Sequence, residues 1–142
     1  VAEIRERNIP EWRARLIVRT ELQMAQHAGQ KVAEDESEFE TVSEWIAAHD
    51  SRTRHSHRDT DGKVIKEGDV FQVPRYRKNM IIGYDRMTGP GDPNAHAENL
   101  CNCRCTKSVT AARDKDGRLI RKRKISVILP EQFKMRGQIV TV

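Results

Sequence analysis

Apolar residues are scarce in this chain: 37% of 142, with aromatics at only 5%. A core built from so little is modest, and the length provides for one domain, not two. No apolar run approaches the ~18 residues that a membrane-spanning helix needs, and no segment resembles a secretion signal. A membrane is therefore not among the expected partners. Internal repeats and low-complexity tracts are also missing. Cysteine is limited to Cys101, Cys103 and Cys105. An odd number within five residues excludes a disulfide framework and points to reduced thiols in a cytosolic setting. The chain opens on Val1, so it is expected to be a piece of a longer protein.

What is plentiful is charge, at 33% of residues and +5 net. It is unevenly placed. Glu34, Asp35, Glu36, Glu38 and Glu40 form an acidic run without a base, whereas residues 107–142 carry +7. A polyanion is a natural partner for the basic stretch; the alternative is a solvated face or a charged edge strand. Arg121, Lys122, Arg123 and Lys124 fall within a predicted strand over 118–129, where alternation sends them to both faces. That pattern suits an exposed arm or edge. Without flanking aromatics, any nucleic-acid contact there is to phosphates, non-specific and salt-dependent.

The pattern along the chain predicts a helix over 10–28, with Pro10 in its first turn and Gly29 as its stop. An acidic loop follows Lys31. Strands are expected over 41–47, 63–65, 70–73 and 80–83, then an irregular loop over 88–93, with Asp92 and Pro93 opening a short helix through Glu98. A strand over 101–112, a hairpin turn at Asp114, Lys115, Asp116 and Gly117, the strand over 118–129 and a last strand over 138–142 complete the chain. The last one is a candidate for pairing within the chain or with a neighbour. The fold class is α+β: an N-terminal helix followed by a mostly antiparallel, loop-rich sheet.

If 101–105 is a strand, all three thiols share one face, with Cys101 and Cys105 about 13 Å apart at ~3.3 Å per residue. A zinc ion then takes two adjacent thiolates and draws its other ligands from His49, His55, His57 or His96. The competing reading is small buried thiols packing a core.

Two motifs carry the densest chemistry. One runs Asp50, Ser51, Arg52, Thr53, Arg54, His55, Ser56, His57, with Gly62 beyond it; the other is Asn102, Cys103, Arg104, Cys105 behind a Gly-Pro-Gly-Asp-Pro loop. With Arg19, Thr20 and Glu21 on the helix, this ordered set resembles the Mu F-like minor head proteins of tailed phages and prophages, the head morphogenesis domain. The resemblance covers residues 16–106 and leaves the basic hairpin and C-terminal strand over 107–142 unmatched. It implies a single domain over 1–142 acting in prohead assembly, non-catalytic, in the host cytoplasm and then in the head interior. The implied partners are portal, scaffold or capsid proteins and non-specific DNA, with no small-molecule substrate. Relatives carry Cys-x-x-Cys where this chain has Arg54 and His57. The resemblance thus implies a zinc site of His57, Cys103 and Cys105, with Cys101 or His55 as the fourth ligand.

The same residues also make a metal-free network. Arg19, Arg52, Arg54 and Arg104 are donors, Glu21 and Asp50 are acceptors, and Asn102 and His57 complete it. Two further functions compete. A metal-dependent nuclease or toxin-like domain would use His49, Asp50, His55 and His57. An ADP-ribosyl-transferase-like domain would need Glu131.

Overall fold

A computed structural model describes residues 9–123. Helix α1 (Glu11–Glu36) is followed by β1 (Thr41–Ile46), α2 (His55–Arg58), β2 (Val64–Lys66), β3 (Phe71–Arg77), β4 (Met80–Met87), α3 (Ala97–Leu100) and β5 (Thr106–Ala111). The class is the expected α+β, a helix followed by antiparallel sheets.

Helix α1 runs past Gly29 and absorbs the stretch expected to be an acidic loop. A mid-helix glycine costs only about 1 kcal/mol relative to alanine, and the last two turns are held by tertiary contacts. Gln30 donates to the Lys107 carbonyl (3.4 Å), and Glu34 pairs with the Lys107 ammonium. Ser37 ends the helix, its Oγ accepting from the Phe39 N–H (3.1 Å).

Strand β1 is the centre of a three-stranded antiparallel sheet ordered β2-β1-β5, with Ser43 opposite both Ile65 and Val109. Its buried positions are Thr41, Ser43 and Trp45, so the inward face is partly hydroxylic. Strands β3 and β4 form a separate hairpin, joined by Lys78 and Asn79, both with positive φ. That backbone matches a tight two-residue hairpin turn. Both strands are longer than expected. Pro74 sits inside β3 opposite Tyr84, and a two-stranded ribbon has only edge strands, where a missing N–H is tolerated.

The predicted short helix from Asp92 begins instead at Ala97, behind His96. The predicted strand over 101–112 is strand only from Thr106, because Asn102 takes φ +54° and turns the cysteine segment. The hairpin turn is at Asp114–Gly117 as expected. Asp114 Oδ1 accepts from the N–H groups of Asp116 and Arg118, at 2.9 Å each, and Gly117 has φ +79°. Beyond it, single bridges join Leu119 to Arg113 and Arg121 to Phe39. Lys124, Glu131 and the strand expected over 138–142 lie outside the described residues.

The core is small: Trp45, Ala47, Phe71, Val73, Met87, Cys103 and Cys105. The Trp45 ring meets Phe71 and His57 edge-on, with centroids 5.3 and 5.1 Å away.

Candidate metal centre

His57 projects from α2 into that core and is 1% exposed. Its Nδ1 lies 3.3 Å from the Cys105 Sγ and 3.6 Å from the Cys103 Sγ. All three donor atoms fall within 4.8 Å of one another. Around a tetrahedral zinc, with Zn–S ~2.3 Å and Zn–N ~2.0 Å, donor–donor edges are about 3.5–3.8 Å. The three donors therefore match a zinc face in type and spacing. The turn at Asn102 sets Cys101 apart and leaves the adjacent pair Cys103 and Cys105 facing His57. Thr20 Oγ1 on α1 accepts the Asn102 N–H at 3.0 Å, and Gln23 donates to the Cys105 carbonyl at 2.8 Å.

The electrostatics of the thiol pair are asymmetric. Donation from Cys103, helped by His57, lowers the Cys105 pKa against burial, while Cys103 is driven up. His57 Nε2 and Trp45 Nε1 are buried without a hydrogen-bond partner.

Neither expected fourth ligand reaches the cluster. Cys101 is half-buried and outside the group, its carbonyl accepting from Arg54 (2.5 Å). His55 is exposed, 3.5 Å from Asp59 and stacked on Tyr76. Among the described residues no other His, Cys, Asp or Glu completes the set.

The arginines frame the cluster. Arg104 makes a two-point contact with Asp50, its Nη2 2.8 Å from Oδ1. That guanidinium holds the Asp50 carboxyl down at about 2. Arg54 donates to backbone carbonyls, Glu98 O at 2.6 Å and Cys101 O, rather than to a carboxylate. Arg19 donates to Asn102 Oδ1 at 3.3 Å. Two members of the expected network stand apart: Glu21 is exposed on α1 without a recorded bond, and Arg52 joins only through its backbone N–H, which donates to Asp50 (2.9 Å).

A helix carrying Arg19 and Thr20, the Asp50–His57 segment and the Asn102–Cys105 segment thus meet at one place. The sequence profile described as Phage Mu protein F like protein matches residues 1–108. The chain belongs to this family of phage head proteins. It is also 34% identical, over 96 residues, to the Minor head protein GP7 of Bacillus phage SPP1, an alignment covering 66% of this chain and 28% of that protein. The chain therefore spans less than a third of the length of this curated relative. No solved structure matches.

In this Mu F-like chain the nuclease geometry does not assemble. His49 contacts Asp61 (3.2 Å) and His55 contacts Asp59, both exposed, while His57 is turned inward to the thiols. In its described part the basic run is exposed at Arg121 and Arg123, and it lies as an edge instead of a free arm. Arg121 pairs with Glu38 (3.3 Å) and lies over the Phe39 ring. Lys122 pairs with Glu67 (2.6 Å) and donates to the Glu34 carbonyl. Arg123 is exposed.

Sequence reasoning missed three sets of residues. Gln23, Gln26 and Gln30 reach the 105–107 segment from one side of α1, and their i, i+3, i+7 spacing was the available signal. A buried polar chain runs from Ser56 Oγ to Asn99 Oδ1 (2.8 Å), from Asn99 to Asp85 (2.9 Å), and from Asp85 to His96 Nδ1 (2.5 Å). Burial works to raise the Asp85 pKa, but donation from Asn99 and His96 lowers it overall. Nothing local in the sequence announces that chain. Third, the Gly-Pro-Gly-Asp-Pro loop docks on α1, where Thr88 shares a 2.8 Å hydrogen bond with His27. Asp92 accepts from Thr88 and Asn94 and so fixes the loop.

Proposed function

We propose that this chain is a non-catalytic assembly module of the prohead, stapled by zinc held between His57, Cys103 and Cys105. The observation that carries the reading is the burial of the donor set. His57, Cys103 and Cys105 are each at most 4% exposed, against the Trp45 ring. Three donors leave a fourth zinc position unfilled among the described residues, but their burial denies that position to a substrate, which a hydrolytic metal must reach. The metal would add a covalent-strength tie between α2 and the segment leading into β5. The imidazole and the two sulfurs are already oriented to receive it.

Membership of the head-protein family supports capsid-related partners. We assign these to portal, scaffold or capsid proteins, met in the host cytoplasm during assembly and retained in the head interior near DNA. With Arg121 and Lys122 engaged by Glu38 and Glu67, DNA contact falls chiefly to Arg123 and its C-terminal neighbours, and it is weak and steeply salt-dependent.

The test is elemental analysis of the protein purified without added metal, beside a Cys103→Ser variant. One zinc per chain, lost in the variant together with thermal stability, and no nuclease activity in either, is the expected result. A metal-free parent chain that unfolds like the variant would remove the staple. Metal-dependent cleavage of DNA, abolished by Cys103→Ser, would replace the assembly reading with an enzymatic one.

A further inference from the structure

Helix α1 buries Thr20 and His27 against the domain. At 100° per residue the diametrically opposite face carries Val18, Leu22, Ala25, Gly29 and Val32. Leu22 is 65% exposed, Val32 56% and Val18 40%, and Ala25, Gly29 and Ala33 are also exposed. In a chain one-third charged, this stripe carries only Glu21, at its margin, through four helical turns. The 4-3-4-3 spacing of 18, 22, 25, 29 and 32 is that of a helix–helix seam. Its middle, Ala25 and Gly29, is small enough for two backbones to approach closely.

We propose that this face pairs with the same face of a second copy, antiparallel and centred on Ala25. The charges select that partner and direction. Antiparallel pairing about Ala25 sets Val18 against Val32 of the second copy and Leu22 against its Ala28 and Gly29. It brings Arg15 to the second copy's Glu36. Each contact occurs twice, as a two-fold axis requires. Parallel pairing would instead stack Arg15 on Arg15 and Glu36 on Glu36, which is repulsive. The stripe is thus complementary to itself in shape and in charge, in one orientation.

Sedimentation equilibrium of the whole chain tests the proposal. The expected result is a concentration-dependent dimer, weakened about tenfold or more by Leu22→Glu with unchanged helical circular dichroism, since Leu22 faces away from its own domain. Arg15→Glu should weaken the dimer, and adding Glu36→Arg should restore it. In a Cys101→Ser background, Ala25→Cys should cross-link to itself under mild oxidation and Ala14→Cys should not. A parent chain that stays monomeric at the highest attainable concentration overturns the proposal, including the case in which another head protein occupies the face. Cross-linking through Ala14→Cys in place of Ala25→Cys would overturn the antiparallel arrangement.

Discussion

Asp50 shows what a single residue contributes to this domain. Its carboxylate accepts from Arg104, Thr53 and the Arg52 N–H, and these hold its pKa at about 2 against an ordinary 3.8. The folded chain therefore binds this proton less readily than the unfolded chain does. The stabilisation is complete above pH 3.8, declines from there to about 2 and is absent below. In carboxyl NMR titrations Asp50 should titrate near 2 in the parent and return towards 3.8 in Arg104→Ala; a value unmoved by the substitution would dismiss Arg104 as the cause. The Asp50–Arg104 pair was foreseeable because both residues lie in chemically dense motifs and match as fork and carboxylate. The partners of Arg54 were not, since it binds the Glu98 and Cys101 carbonyls. Every residue has a carbonyl, and only the completed turns aim these two at a guanidinium.

Elements were legible where their cause is local. The Asp114–Gly117 turn and β1 follow from a few adjacent residues. The end of α1, the start of β5 and the cysteine turn are decided by residues far away: Lys107 for the helix, Thr20 for Asn102. The Gly-Pro-Gly-Asp-Pro loop is another such case. Gly91 has φ +89°, and a Cβ there would lie 2.6 Å from the Gln23 carbonyl oxygen, whereas Gly117, at φ +79°, has open space. Gly117→Ala should cost about 1 kcal/mol, for conformation alone. Gly91→Ala adds a backbone clash, so urea unfolding should show at least about 2 kcal/mol more loss than for Gly117→Ala. Equal losses would mean that the loop does not seat on α1.

For the whole molecule, the acidic and basic runs are two halves of one arrangement. Each read alone suggests a solvated surface or an external polyanion. Together they close the domain: Glu34 on Lys107, Glu38 on Arg121, and the Glu34 carbonyl on Lys122. Of these, the Lys107 side chain is fully buried and Glu34 nearly so, and their contact is ionic rather than an aligned hydrogen bond. Removing one partner of such a pair costs about 3–5 kcal/mol, while replacing both by apolar groups is close to neutral. Lys107→Met should therefore unfold at much lower urea, and Lys107→Met with Glu34→Leu should recover most of the loss. A double variant no better than the single would deny the pairing. The sequence shows both runs plainly, but not that a fold joins them, because their separation along the chain exceeds any local rule.

That separation also sets an order of events during synthesis. His57 is made 46 residues ahead of Cys103, and 48 ahead of Cys105, and both thiols reach it only when the chain turns at Asn102 and β5 docks against β1. Until then imidazole and thiols stand open to solvent, and afterwards Trp45 and its neighbours enclose them. An ion that belongs in this cluster has to be captured by the nascent or newly released chain. Metal supplied to the finished protein would then enter only at the slow rate at which β5 lifts away.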